Sequence, residues 1–81
     1  MDSPRRSSRA RWAASYEQFR GRLVSAREKA GLTQREAAEL LGRSQSFVAK
    51  SETGERRVDV VELGEFAKAY GRSVTFFTSK G

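Results

Sequence analysis

The chain has 81 residues, of which 37% are hydrophobic and 32% are charged, and it contains neither cysteine nor histidine. It is therefore long enough for one small domain, and it lacks the residues for a disulfide framework or for a Cys/His metal site. The formal net charge of +6 favours a polyanionic partner, with nucleic acid first and an anionic membrane second. No apolar run approaches the roughly 20 residues of a membrane span. No membrane partner is predicted.

Residues 1–14 are predicted to form a flexible basic arm. The segment contains four arginines, three serines and Pro4, and it offers little apolar surface to bury. No apolar segment of the kind found in a secretory signal follows it. Two roles stay open for Arg5–Arg11: contact with the backbone or minor groove of a nucleic acid, and a disordered solubilising tail.

The first helix is predicted to begin at Ser15, which can form a capping box with Gln18. Gly31 offers the left-handed conformation that commonly ends a helix. Between these two ends, apolar residues recur at spacings of three and four, as on one face of a helix: Tyr16, Phe19, Leu23, Ala26 and Ala30.

Two short helices follow, separated by a two-residue turn that contains Gly42. Thr33 and Glu36 form a second capping box at the start of the second helix. Ser44 is predicted to cap the third helix, which ends near Thr53–Gly54. A helix, a tight turn containing glycine and another helix make up a helix-turn-helix arrangement, which can present its second helix rigidly to a partner.

The third helix separates into two faces on a helical wheel. Ser44, Val48 and Ser51 fall on the side predicted to face the core. The opposite side has no carboxylate and consists of Gln45, Ser46, Ala49, Lys50 and Thr53. Glutamine suits adenine, lysine suits guanine, serine suits either, and an alanine methyl can contact thymine. We therefore predict that Gln45, Ser46, Ala49 and Lys50 read DNA bases, with an ordinary solvated face as the alternative.

The last part of the chain predicts a fourth helix and one further turn. Asp59 and Glu62 can cap the fourth helix, and Gly71 ends it. One more turn is predicted from Ser73, and only a weak alternation over Val74–Phe77 suggests a strand. The predicted fold is an all-α bundle of four or five short helices, with the apolar stripe of the fourth at Leu63, Phe66, Ala67 and Tyr70.

The segment REKAGLTQREAAELLGRSQSFVAKSETGERR resembles the DNA-binding domain of the phage-repressor and Cro-like (XRE-type) helix-turn-helix family of bacteria and their prophages. The resemblance covers about residues 16–77 and depends on GLTQ, AAELLG, SQS and ETGE occurring together, followed by an amphipathic helix. It implies a five-helix DNA-binding domain over residues 15–81, usually a symmetric dimer on a two-fold operator in the bacterial cytoplasm, at the nucleoid.

The same resemblance implies roles for residues around the third helix. Gln34 matches the glutamine with which members of the family bind a phosphate and support the recognition helix. Phe47 falls beside the sugar-phosphate backbone, although its position on the wheel also allows it to join the core. Ser51 stands where the family usually has Leu, Ile or Val, a departure that bears on packing rather than on function. The flanking arginines suited to phosphates are Arg43, Arg56 and Arg57, and the expected buried salt bridge joins Arg27 and Glu52.

Three functions are compatible with these features. The leading one is sequence-specific binding of double-stranded DNA by a transcriptional regulator, a repressor that acts by occupying its operator. The second is an antitoxin that binds DNA and a toxin partner. The third is a protein-interaction module on the same fold without DNA binding. An enzyme is not expected, because the chain has no His, no Cys and no convergent carboxylate cluster, and no cofactor is predicted.

A homodimer is expected, because one recognition helix reads too few base pairs to mark a site in a genome. Pairing across a two-fold axis needs a self-complementary apolar patch. Val74, Phe76 and Phe77 are more apolar than a short terminal turn can easily hide, and we expect one phenylalanine to pack inward and the other to remain exposed. The alternative is that both rings close the core of a monomer.

Overall fold

The computed structural model describes the backbone of residues 4–79 and the side chains of residues 11–79. All regular structure in this range is helical, so the predicted all-α bundle is confirmed, and the further turn predicted from Ser73 is the short helix over Val74–Thr78. The five helices are α1 (Pro4–Lys29), α2 (Gln34–Leu41), α3 (Gln45–Thr53), α4 (Val60–Tyr70) and α5 (Val74–Thr78). None of the helices in the described part of the chain has the length and apolar content needed to cross a membrane.

The predicted caps define where α2 and α4 begin. The Thr33 hydroxyl accepts a hydrogen bond from the Glu36 backbone N–H at 3.1 Å, and the Thr33 N–H donates to the Glu36 carboxylate at 2.9 Å. Asp59 and Glu62 form the same reciprocal pair, at 2.7 and 3.1 Å. Each box satisfies two backbone N–H groups that a helix start otherwise leaves without partners.

The prediction that the first helix begins at Ser15 is wrong, because α1 begins at Pro4. Proline is favoured in the first turn of a helix, where its missing N–H is not needed. The apolar stripe of α1 also starts one turn earlier than predicted: Trp12 stacks on Tyr16, with ring centroids 5.7 Å apart.

Most of the predicted arm therefore continues α1. Its backbone is helical from Pro4 onwards. Residues 1–3 and the side chains of residues 4–10 lie outside the described residues, so a contact of Arg5–Arg11 with nucleic acid stays a prediction.

The core lies where α1, α2, α3 and α4 meet, and α5 closes one end of it. Phe66 of α4 is fully buried at its centre, and its ring packs against Phe47 of α3 and Tyr70 of α4. Phe77 of α5 is buried beside Phe19 of α1. Small residues let α2 pack closely, since Ala37 and Ala38 are both buried. The buried hydrophobic residues are Leu23, Ala26, Ala37, Ala38, Val48, Leu63, Phe66, Ala67, Tyr70 and Phe77.

Candidate nucleic-acid interface

The two faces of α3 are placed as the wheel predicted, except that Ser44, predicted to face the core, is exposed and caps the helix by accepting a hydrogen bond from the Phe47 N–H. Val48 and Ser51 are fully buried. On the other side, Gln45, Ser46 and Lys50 are exposed and Ala49 is partly exposed. We call these four residues the recognition face. The one acidic residue of α3 is Glu52, and it is buried, so the carboxylate is withdrawn from the face that would meet DNA.

A bidentate ion pair joins α1 to α3 beneath the recognition face. Arg27 Nε donates to Glu52 Oε2 at 2.7 Å, and Arg27 Nη2 donates to Oε1 at 3.2 Å. The two side chains are only 12% and 6% exposed. The hydrogen bond to Glu52 raises the pKa of the Arg27 guanidinium further above its usual value. Arg27 Nη1 also donates to the Leu32 carbonyl at 2.8 Å, so the pair fixes the start of α2 as well.

Gln34 joins the same group, since its Nε2 donates to Glu52 Oε1 at 2.9 Å. This is the bracing contact with the recognition helix that the family resemblance implied. The contact of Gln34 with a phosphate stays a prediction. Glu52 therefore receives hydrogen bonds from α1 and α2 together, which fixes α3 relative to both helices.

Arg56 lies in a second polar network, on the side of α3 that faces α4. Its Nη1 and Nη2 donate to the two carboxylate oxygens of Glu62 at 3.0 and 2.9 Å. Nη1 also donates to the Ser51 hydroxyl at 3.2 Å, and that hydroxyl donates to the Phe47 carbonyl at 2.7 Å. The hydrogen bond from Arg56 lowers the pKa of the Glu62 carboxyl, and the same bond raises the pKa of Arg56.

Phe47 belongs both to the core and to the surface beside α3. Its ring stacks on buried Phe66 at a centroid distance of 5.8 Å. The guanidinium carbons of Arg43 and Arg56 lie 4.5 and 4.3 Å from the Phe47 centroid. Arg43 is the more exposed of the two arginines, and its ion pair with Glu65 is a single 3.3 Å contact. Cation–π contact thus orders both guanidinium groups next to the recognition face.

Arg57 is held by two aromatic residues of α1, of which only Trp12 precedes the predicted start of the helix. Its guanidinium carbon lies 4.5 Å from the Trp12 centroid and 4.4 Å from the Tyr16 centroid. The Tyr16 hydroxyl accepts a hydrogen bond from the Val58 backbone N–H at 3.2 Å. Trp12, which precedes the predicted start of α1, and Tyr16, which follows it, therefore both order the loop between α3 and α4.

The end of α3 is also held by α1. Arg20 Nη1 donates to the Glu52 carbonyl at 3.1 Å. Gly54, which ends α3 with a φ of +87°, approaches Arg20 so closely that a Cβ atom there would lie 3.0 Å from Arg20 Nε. A side chain at this position would meet both backbone strain and the Arg20 side chain.

The predicted dimer residues differ in exposure. Phe77 is buried against the core, whereas Val74 is 43% exposed. Phe76 is partly buried: its ring packs edge-on against Phe77, and the Arg72 guanidinium lies over it at 4.8 Å. One ring thus packs inward, whereas Val74 is exposed and Phe76 is partly exposed.

Two features of the site were missed in the sequence. The first is the stack of Trp12, Tyr16 and Arg57, although Trp12 lies four residues before Tyr16 and so continues its stripe. The second is the hydrogen-bond network around Ser51. A polar residue on the predicted buried face of α3 could have indicated it. A buried hydroxyl normally has a hydrogen-bond partner, and here Arg56 and the Phe47 carbonyl supply it.

Comparison with known proteins agrees with this architecture. A family model described as a helix-turn-helix domain matches residues 18–75. Among solved structures, the chain is similar to an XRE-family like protein from Pseudomonas syringae pv. tomato str. DC3000, with a TM-score of 0.84 and 40% sequence identity. That similarity covers 90% of this chain and 89% of the other. No curated protein matches the chain.

Proposed function

We propose that this chain, which belongs to the XRE-type helix-turn-helix family of DNA-binding regulators, binds double-stranded DNA sequence-specifically through α3 and represses transcription by occupying its operator. Membership of the family confirms the resemblance noted in the sequence. The finer assignments, which are sequence specificity, repression and the residues that read bases, are supported by the geometry of α3. Repression by occupancy requires no chemical step, because the bound protein excludes polymerase from its site.

The observation that carries the proposal is the contrast between a fixed helix and a free outer face. Two networks, centred on Glu52 and on Glu62, hold α3 from three other helices and from the loop after it. The recognition face itself is left open to solvent, with Gln45, Ser46 and Lys50 exposed. A rigid helix with unengaged amide, hydroxyl and ammonium groups is suited to reading base edges in the major groove.

Each residue of the recognition face has a role in this proposal. Gln45 pairs with adenine and Lys50 with the acceptor atoms of guanine, Ser46 bonds to either, and the Ala49 methyl contacts thymine. Phosphate contacts from Gln34, Arg43 and Arg57 set the position of α3 on the duplex without reading sequence. The net charge of +6 supports both the specific and the non-specific mode of binding.

Selection of binding sites from random duplex DNA tests the proposal. The expected result is an enriched site with two related half-sites about 34 Å apart, one turn of DNA. The selected duplex is then compared with a scrambled duplex of the same length and composition by fluorescence anisotropy at fixed salt. Equal affinity for the two duplexes, or no enrichment after repeated rounds, would contradict sequence-specific binding.

The two half-sites follow from a proposed homodimer that pairs through Val74 and the exposed edge of Phe76. Phe76→Ser should shift the sedimentation of the protein from dimer to monomer, because it removes apolar surface from that patch. Leu40→Ser is the matched control, since Leu40 is 61% exposed but lies on α2, outside the patch. A wild-type protein that is monomeric both free and on the selected site would exclude this dimer.

A further inference from the structure

We infer that Arg56 is a positioning residue, which fixes the C-terminal turn of α3 and with it Lys50, instead of binding a DNA phosphate. The inference rests on the proposed function, because it concerns how the recognition face is held in place. It also replaces the sequence-based expectation that Arg43, Arg56 and Arg57 play the same part.

The side chain of Arg56, which is 31% exposed, is already engaged by other residues of the protein. Its two terminal nitrogens donate to both oxygens of Glu62, and one of them donates to the fully buried Ser51 hydroxyl as well. A planar guanidinium in a bidentate pair has its donors fixed in direction. Its carbon lies 4.3 Å from the centre of the Phe47 ring, so α3 holds this group at two residues.

The backbone of Arg56 also hydrogen-bonds to the C-terminal turn of α3. The Arg56 N–H donates to the Lys50 carbonyl at 3.2 Å. The Gly54 N–H and the Thr53 hydroxyl donate to the same carbonyl at 3.1 and 3.3 Å. The main chain at Lys50 is therefore fixed by the last residue of α3 and by the residues that follow it, and the Arg56 side chain anchors the latter to α4.

A phosphate that took the donors now directed at Glu62 and Ser51 would disrupt this arrangement. Glu62 Oε1, which accepts from Arg56, also accepts from the Asp59 N–H in the cap of α4. The Glu62 side chain is 10% exposed, so a carboxylate that lost Arg56 would keep its charge in a shielded place. An unpaired shielded charge is strongly unfavourable, which keeps Arg56 on Glu62.

Arg43 differs from Arg56 in how exposed its glutamate partner is. It also lies over Phe47, but its partner Glu65 is 43% exposed and the pair is a single contact of 3.3 Å. Exchange of Glu65 for a phosphate would leave Glu65 solvated, at little cost. Two arginines on one aromatic ring thus take different parts: Arg43 is available to DNA, and Arg56 holds the helix.

The test replaces the glutamate partner of each arginine in the full-length protein. Glu62→Gln should lower the preference for the selected duplex over the scrambled duplex roughly five- to tenfold, which is the lower end of what one mismatched base pair costs. The slope of log affinity against log salt should not change, because no phosphate contact is removed. Glu65→Gln, the same chemical change three residues later on α4, should leave the preference unchanged.

Two further measurements keep the inference testable. Ser51→Ala removes the buried hydroxyl without touching Glu62 or the cap of α4, and it should lower the preference in the same direction as Glu62→Gln. In the free protein, amide hydrogen exchange at Gly54 and Arg56, which both donate to the Lys50 carbonyl, should accelerate in Glu62→Gln and not in Glu65→Gln.

The outcomes separate the two proposals. If Arg56 binds phosphate, Glu62→Gln frees the Arg56 side chain and raises the affinity for both duplexes. In that case Arg56→Ala also lowers the slope of log affinity against log salt by about one unit. Either result overturns the inference. If the wild type prefers no duplex, the proposed function fails, and hydrogen exchange alone decides the positioning role. Unchanged exchange at Gly54 and Arg56 in Glu62→Gln would then overturn it, and faster exchange would support it.

Discussion

The inner and outer faces of α3 differ in what their side chains contact. On the inner face, Glu52 and Ser51 accept hydrogen bonds from residues of α1, α2 and the loop that leads to α4. On the outer face, Gln45 and Lys50 are exposed. In the proposed function, stability and recognition thus belong to opposite sides of one helix of nine residues. Substitutions on the inner side should impair folding, and those on the outer side should impair binding alone.

The largest effect is expected from Arg27→Ala on the inner side. It removes the main partner of Glu52, whose charge would remain shielded with only Gln34 beside it. Breaking a buried pair by removing one partner costs roughly 3–5 kcal/mol. That is a large fraction of the stability of so small a domain. Urea unfolding followed by circular dichroism measures the loss.

Lys29→Ala is the matched control for this prediction, because Lys29 is exposed in the last turn of the same helix. Its free energy of unfolding should stay within about 0.5 kcal/mol of the wild type. An Arg27→Ala protein that lost less than about 1 kcal/mol would place the pair among surface ion pairs and would remove the basis for a rigid α3.

A smaller effect, with a defined pH dependence, is expected from Glu62. Its hydrogen bond with Arg56 lowers the pKa of its carboxyl below the ordinary value of 4.5. The ionised group therefore stabilises the fold fully above the unfolded-state pKa, and this stabilisation is lost as the pH falls through the folded-state pKa. The melting temperature of Glu62→Gln should lie below that of the wild type at pH 7, and the gap should close below about pH 4.5. A gap that stayed constant down to pH 3 would contradict this role of the carboxylate.

The smallest effect is expected at the edge of the outer face. Arg43→Ala should weaken binding to all duplexes about equally and reduce the salt slope by about 0.9, since it removes one phosphate contact. Lys68→Ala, an exposed position on α4, serves as the control of equal charge. A change in base preference without a change in slope would mean that Arg43 reads sequence and does not bind phosphate.

Local signals explain why α2, α3 and α4 were predictable. Side-chain caps at Thr33, Ser44 and Asp59 act on backbone groups two or three residues away, so the sequence displays them directly. Left-handed glycines such as Gly42 and Gly71 mark the ends in the same local way. In the part of α1 before Ser15, Trp12 contacts Arg57, far away along the chain. That contact depends on the tertiary fold, so the prediction placed the start at Ser15.

The same distinction applies to the candidate site. The outer face of α3 follows from helical periodicity alone, and it was predicted residue by residue. The role of Arg56 depends on where the loop after α3 turns, because that turn brings it to Ser51 and Glu62. A basic residue beside a recognition helix is equally compatible with a phosphate contact or an internal brace, and only the geometry separates the two.

The central claim is that the outer face of α3 reads bases, and Lys50→Ala tests it most directly. Binding-site selection is run in parallel with the wild type and with Lys50→Ala, after thermal unfolding shows that the two are equally stable. The predicted result is relaxed preference at one base position of each half-site and a loss of about 1–3 kcal/mol on the wild-type site, with the other positions unchanged. Equal weakening on every sequence, or an identical selected site for both proteins, would contradict the claim.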